Sequence, residues 1–393
     1  MALVDKVTLD AEERLNLRNF ASRYGRVALL HVTETMLRKS IADAHWAMRD
    51  LLNQSNFHSF DQQPLGPDHK VLRNCTILIG AAEHRTKASL YRPLTKSGDP
   101  RLWIYGLQEH VKPGNTLAIS VLRGELYIAN LSGPTVLKEA IASTSKAAHW
   151  ASREAITLLE QLKQLALGGP IPQIGSHDTS VGRSIEHALG ISQNSSQIPD
   201  FMGVVEIKAV RGNRPSSRTA RKQLFAQVPD WSISECKSIK SFLQLYGYRR
   251  KGILRLTCTV EANRPNSQGL KLQLLASGGT LIEIHEPTQH AALTWQMSVL
   301  QKRLEAKHHE TFWVKLDEVT LKGRPAFQLR AVEHTGPPAS QLLSTLLQSN
   351  QITLDHLIKQ TERGTTERGP SFKITPAGHE ILFPIRTNYA LSE

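Results

Sequence analysis

Pro199-Asp200-Phe201-Met202-Gly203-Val204-Val205-Glu206-Ile207-Lys208 holds two carboxylates and an ammonium in one short segment. Hydrolysis of a phosphodiester needs such groups: acids that hold a divalent cation, a water made nucleophilic, and positive charge beside the attacked phosphate. Val204, Val205, Ile207, Ala209 and Val210 mark a strand inside a sheet. Residues two apart in a strand share a face, so Glu206 and Lys208 project together, separated by about 7 Å along the backbone. Gly203 permits a turn or bulge that folds Asp200 back toward Glu206, so that both carboxylates reach one Mg²⁺. The alternative is an ordinary edge strand with a solvated acid–base pair. Charges set between valines in a strand fit for burial count against it, because buried charges need partners.

An Asp followed by Glu-x-Lys is a weak pattern alone. The chain holds a second copy, Asp230-Trp231-Ser232-Ile233-Ser234-Glu235-Cys236-Lys237. Here Ser232 and Glu235 have the spacing of a helix capping box, and Ile239, Phe242, Leu243 and Tyr246 follow at helical spacing, which predicts a helix over 232–246. On a helix, residues two apart point about 200° from each other, so Glu235 and Lys237 cannot share a metal.

The elements that must position these residues need more than one core. A chain of 393 residues exceeds the usual size of a single core, and its 40% hydrophobic content suffices for two. Lys and Arg number 48 against 35 Asp and Glu, and the net charge of +13 favours a polyanionic partner such as nucleic acid. Cys75, Cys236 and Cys258 lie far apart without CxxC or zinc-finger spacing, which reads as reduced core thiols in a cytoplasmic protein. The opening MALVDKVTLDAEERLNL has acids where a signal peptide is basic and then apolar, and no run of about 18 apolar residues occurs, so no membrane partner is expected.

Gly, Pro and Ser crowd at 168–180, after a helical pattern over 136–167 that includes Ile156, Leu159, Leu162, Leu165 and Ala166. We therefore expect domains at 1–167 and 181–393 with 168–180 as linker. The first half reads as a helix at 33–53 and strands at 73–80, 102–105 and 117–131. The second reads as a helix start at 182–190, a buried strand at 203–210, strands at 253–260, 270–275 and 280–285, and a helix at 291–307. Strands at 312–319 and 326–333, helices over 338–360 and a strand pair over 371–386 complete it. Both halves are mixed α/β.

Gly182-Arg183-Ser184-Ile185-Glu186-His187-Ala188-Leu189-Gly190-Ile191, then Asn194, the Asp200–Lys208 segment, Leu224-Phe225, Pro229 and Trp231 form an ordered series. Over about 180–390 that series resembles the MvaI/BcnI family of restriction endonucleases, and more distantly the mismatch-repair nicking enzyme MutH. The resemblance implies a PD-(D/E)xK nuclease domain in which Asp200 and Glu206 bind the metal and Lys208 positions or activates the water. Glu186, on the preceding helix, would support the site; without the resemblance it reads as a solvated helix residue. His187 reads as a packing or surface histidine. The resemblance implies an Asp-to-Glu stretch one residue longer than in MvaI itself, which leaves the conformation around Met202 and Gly203 open.

Arg363-Gly364-Thr365-Thr366-Glu367-Arg368-Gly369-Pro370-Ser371-Phe372-Lys373-Ile374 is similar to the family's Arg-Asp-His-Gly-Thr-x-Phe-Arg-Ile segment, with Arg368 for the His and Lys373 for the second Arg. This implies a basic loop, including Arg363, in which Arg368 reads a base and Lys373 holds phosphate. A solvated loop is the alternative. Leu90–Ile104, with the helix at 33–53, is similar to DNA-binding effector domains of the EcoRII kind, a β-rich pseudo-barrel with flanking helices. Arg92, Lys96 and Arg101 around Gly98 and Pro100 would then contact phosphate, unless the segment is a plain hairpin with solvated charges.

Together the resemblances imply a monomeric, Mg²⁺-dependent type II enzyme, of type IIE, that cuts double-stranded DNA at CCWGG one strand at a time. It would bind one or two copies of the site, in a system with a cognate methyltransferase that is no stable partner. A repair nickase and a catalytically silent DNA-binding regulator are the rival readings.

Overall fold

The computed structural model describes residues 9–79, 82–133, 150–175, 180–191, 198–212, 221–275, 278–362, 364–367 and 369–391. Among them no helix is long and apolar enough to cross a membrane. Two compact units divide the chain: Met1–Ser143 with Arg221–Gln301 and Ala339–Leu382, and Thr144–Ala220 with Lys302–Pro338 and Phe383–Glu393.

In the first unit, β1 (Ala28–His31), β2 (Ala42–Asp43), β3 (Val71–Ile79), β4 (Ala82–Tyr91), β5 (Arg101–Ile104), β6 (Thr116–Leu122) and β7 (Glu125–Asn130) form one sheet. Its order is β1-β6-β7-β3-β4-β5-β2, antiparallel except at β3–β7, and it curls into a half-barrel. Alternation sends Cys75, Ile77, Ala88 and Leu90 inward, where Met48, Leu51 and Leu52 of the helix Trp46–Gln54 join them. The helix expected at 33–53 is two helices, because Ser40 turns left-handed (φ 51) and ends the first, Glu34–Lys39. The strand expected at 117–131 is a hairpin. Arg123 and Gly124 both have positive φ, as a two-residue turn between twisted strands requires.

The same unit holds β10 (Lys222–Ala226), β11 (Tyr248–Arg250), β12 (Ile253–Val260), β18 (Ile352–Thr361), β19 (Gly364–Glu367) and β20 (Ser371–Ile374). They run in the order β10-β20-β18-β12-β11, with β19 beside β18. A meander of β13 (Leu270–Leu274), β14 (Thr280–His285) and β15 (His290–Gln296) completes the unit. The helix expected over 232–246 begins only at Ile239. Ser238 and Ser241 make its capping box, while Asp230 takes the Ser232 amide and hydroxyl. Glu235 is therefore no cap, and it pairs with His290 at 3.0 Å. Helix over 338–360 is confined to a 3-10 turn at Ser340–Leu342 and the α-helix Leu343–Gln348, since Ile352-Thr353-Leu354-Asp355-His356 alternates at the strand period and becomes β18.

In the second unit, β8 (Ile171–Pro172), β9 (Val205–Arg211), β16 (Glu310–Leu321), β17 (Arg324–Thr335) and β21 (Arg386–Ala390) form a mixed sheet. The order is β21-β17-β16-β9, with β9 parallel to β16 and β8 beside β17. The segment expected as linker thus contributes Ile171 and Pro172 to this sheet, opposite Phe327 and Ala326. The long helix starts at Arg153, capped by Ser152, and runs to Leu167; the earlier residues of the expected span, 136–149, lie outside the described residues. Leu158 and Leu162 of that helix share a core with Val205, Ile207, Phe312 and Phe327.

Candidate active site

β9 separates its residues by face. Val205 and Ile207 enter the core, which sends Glu206 and Lys208 to the other side, opposite Thr311 and Trp313 of β16. Before β9 the chain makes a tight turn: the Phe201 carbonyl accepts from Val204 N–H at 3.0 Å and from Val205 N–H at 3.1 Å, while Phe201 N–H donates to the Val205 carbonyl at 2.9 Å. Met202 (φ 51) and Gly203 (φ 71) form its apex, and the Met202 side chain is 68% exposed. The turn brings Asp200 back alongside β9, where its Oδ2 accepts from Ile207 N–H at 3.1 Å.

Glu206 is 1% exposed. Its Oε1 lies 2.8 Å from Lys208 Nζ and its Oε2 lies 2.8 Å from Lys307 Nζ. Neither contact has hydrogen-bond alignment, so both buried oxygens keep unfilled acceptor capacity among the described residues. Lys307 ends the helix Met297–Lys307, and Arg303 stands one turn earlier on the same helix face. Burial pulls the Arg303 guanidinium down in pKa, and the Glu206 charge opposes that shift. Nothing in the spacing around Glu206 pointed to Lys307; a cation pair four apart at a helix C-terminus was the available signal, and it reads equally as a dipole effect.

Glu186 sits on the helix Ser180–Ala188, whose Val181 and Ile185 are buried in the same core. Burial raises the Glu186 pKa, and the charges of Asp200 and Glu206 raise it further. Burial likewise raises Asp200, followed by the charge of Glu206, with the Ile207 amide and the lysines acting against it. The three acids therefore share one field. His187 is exposed.

No group of three His, Cys, Asp or Glu side chains stands in cation-ligating geometry among the described residues. The donor chemistry nevertheless fits a hard divalent cation. Asp200 and Glu206 offer oxygen ligands only, Glu206 has buried oxygens without aligned donors, and burial followed by the Glu206 charge disfavours the ionised form of Asp200, a cost that a bound cation would relieve. Lys208 and Lys307 supply compensating charge to Glu206.

The remaining expected residues lie in the first unit. Arg92 Nε donates to the Gly98 carbonyl at 3.0 Å, and Nη1 reaches the carbonyls of Gln63 at 3.3 Å and Phe60 at 3.4 Å. Arg101 pairs with Asp43. Lys96 is exposed at the apex of that turn. Lys373 lies on β20 with Nζ 2.8 Å from Asp355. Its neighbourhood is a strand pair rather than a loop, because β19 folds back on β18. Arg363 and Arg368 lie outside the described residues. The second Asp–Glu–Lys copy holds no shared site: Lys237 donates to the Ser232 and Ser234 carbonyls while Glu235 pairs with His290. All three cysteines are free thiols whose pKa burial raises.

A solved structure described as restriction endonuclease MvaI with its cognate DNA substrate matches with a TM-score of 0.51 at 17% identity, covering 62% of this chain and 100% of that one. MvaI in the absence of DNA covers 62% and 99% at 15% identity, with a TM-score of 0.34. No curated protein matches. The family model for MvaI/BcnI restriction endonucleases matches residues 159–383, more than half of the chain, and the chain belongs to that family. It is a DNA-cleaving enzyme.

Proposed function

We propose that the chain is a Mg²⁺-dependent type II restriction endonuclease acting at a short pseudosymmetric site, CCWGG, through Asp200, Glu206 and Lys208. The carrying observation is the buried Glu206, held between two ammonium groups with oxygens that lack aligned donors. Asp200 and Glu206 would hold the cation, which lowers the pKa of a bound water and neutralises charge on the phosphate. Lys208 orients or activates the attacking water from the same strand face. Glu186 supports the pair of acids from its helix, as carboxylates behind a metal site commonly do. The solved relative that holds its cognate DNA supports a duplex substrate.

In this reading the enzyme is a cytoplasmic monomer that cuts one strand at a time and coexists with a cognate methyltransferase. Residues 1–167 form an EcoRII-like effector domain, 168–180 a linker and 181–393 the catalytic domain, and the effector grips a second copy of the site. Of the basic turn only Lys96 is exposed without a partner among the described residues, so it is the residue offered to phosphate there. Arg368 reads a base and Lys373 meets phosphate, with Arg363 beside them.

Glu206→Ala is expected to abolish plasmid cleavage in Mg²⁺ while leaving DNA binding in Ca²⁺ largely intact, because ligand loss acts on the chemical step more than on docking. Near-normal cutting by that variant would refute the assignment. A product with only one strand of an unmodified site cut would favour the repair nickase.

A further inference from the structure

We propose that one face of the sheet formed by β10, β20, β18, β12 and β11 docks the phosphate backbone of the duplex, with Arg250, Arg255 and Lys359 as its contacts. This rests on the reading of the substrate as duplex DNA.

Register assigns the faces. Arg255 stands opposite Tyr248 on β11 and opposite Lys359 on β18, and Arg250 stands opposite Ile253. Residues directly opposite in an antiparallel pair share a face, and so do residues two apart along one strand. Arg250, Arg255, Thr257 and Lys359 therefore lie on one side. Leu256, Val260, Leu354 and Ile358 lie on the other, and all four are buried. Of the polar side, Arg250, Thr257 and Lys359 are exposed, and the apolar residues among them, Ile253 and Leu357, are each 47% exposed.

A solvated face of an antiparallel sheet is ordinary. Its charges here are of one sign. Arg250, Arg255 and Lys359 have no acidic partner among the described residues, and Arg255 Nε is buried without a hydrogen bond. The one acid farther along the face, Asp355, is already matched by Arg221 at 2.7 Å and Lys373 at 2.8 Å. Those two contacts, with burial opposing them, hold its carboxyl below the usual range. The face thus keeps a surplus of cations on adjacent strands about 5 Å apart, with the exposed Thr257 one same-face position farther along β12. Closely spaced anions without sequence information are its natural ligand, which is what a duplex backbone presents.

The test uses the full chain with Arg250, Arg255 and Lys359 all changed to Ala, and the single exposed substitution Lys359→Ala. Binding is measured in Ca²⁺ to a duplex with CCWGG and to one of unrelated sequence, across about 50–200 mM salt. The triple variant should lose affinity for both duplexes by a similar factor. Its dependence of log affinity on log salt should be shallower by about one per contact removed, so about three, and Lys359→Ala should lose about one. Arg264→Ala, an exposed cation elsewhere in the same unit, should leave the slope unchanged. A wild type that binds duplex, with variants keeping both affinity and slope, overturns this surface alone and leaves it to an acidic protein. A wild type that binds no duplex overturns the nuclease reading, and this surface with it.

Discussion

Lys307 reaches Glu206 from a helix far downstream of Asp200, and that separation explains what local spacing could carry. Glu206 and Lys208 are legible as a pair because the strand period alone puts them on one face, and Gly203 marks where the chain can turn back. Lys307 depends on where a helix C-terminus lands against β9, which no window of sequence encodes. We expect Lys307→Met to lower the single-turnover cleavage rate by about 10²-fold, the scale of losing one fixed charge at a reacting centre. Lys307→Arg should restore part of it, since it returns the charge at the wrong shape. Single-turnover kinetics at saturating Mg²⁺ check this, and a wild-type rate for Lys307→Met removes Lys307 from the site. Arg92 and Arg101 raise a different matter. Composition shows basic side chains, but whether carbonyls and an acid already satisfy them depends on loop geometry.

At the scale of elements, period-2 and period-3.6 patterns located most strands and helices, but β18 and β15 take residues expected as helix over 338–360 and 291–307, and other errors fall at element ends. Ser232 and Glu235 have the letters of a capping box, but Asp230 binds Ser232 first and the helix waits for Ser238. A buried ionic cluster that no pattern announces joins β14 to β18 and β19. His356 Nε2 lies 2.9 Å from Glu283 and Nδ1 lies 3.3 Å from Glu367. Burial alone would lower this imidazole, but Glu283 first and then Glu367 outweigh it and raise its pKa to about 9. Because the folded value exceeds the unfolded one near 6.5, the stabilisation is complete below about pH 6.5 and is lost as pH rises through about 9. Thermal unfolding from pH 6.5 to 9.5 should therefore show a falling midpoint, with a free-energy change on the order of 3 kcal/mol. His356→Gln should flatten that slope. An equal slope in the variant would assign the pH effect elsewhere.

For the whole molecule, composition suggested a cut at 168–180, while compactness groups Arg221–Gln301 and Ala339–Leu382 with Met1–Ser143. Turn-rich composition records where a chain bends, not which segments later pack together, so interleaved units are hidden from it. The effector reading still makes a prediction for the intact enzyme. A monomer with one active site must nick, release and nick again, and a second DNA grip makes the second event effectively intramolecular. Plasmids with two sites should be linearised faster than plasmids with one, with fewer nicked circles along the way. Equal rates and equal nicked intermediates would leave residues 1–167 without that role.

The turn at Met202 and Gly203 also decides parity. In a strand, a shift of one residue exchanges the two faces completely. A residue added within Val205–Lys208 would drive Glu206 into the core and lift Ile207 out of it, leaving the acids on opposite sides of the sheet. A residue added at Met202 only enlarges a loop whose side chain already faces water, and the pairing of β9 with β16 stays as it is. An additional residue between Asp200 and Glu206 can thus be absorbed outside the ladder. Length in this segment is free to drift at one place and is fixed a few residues later.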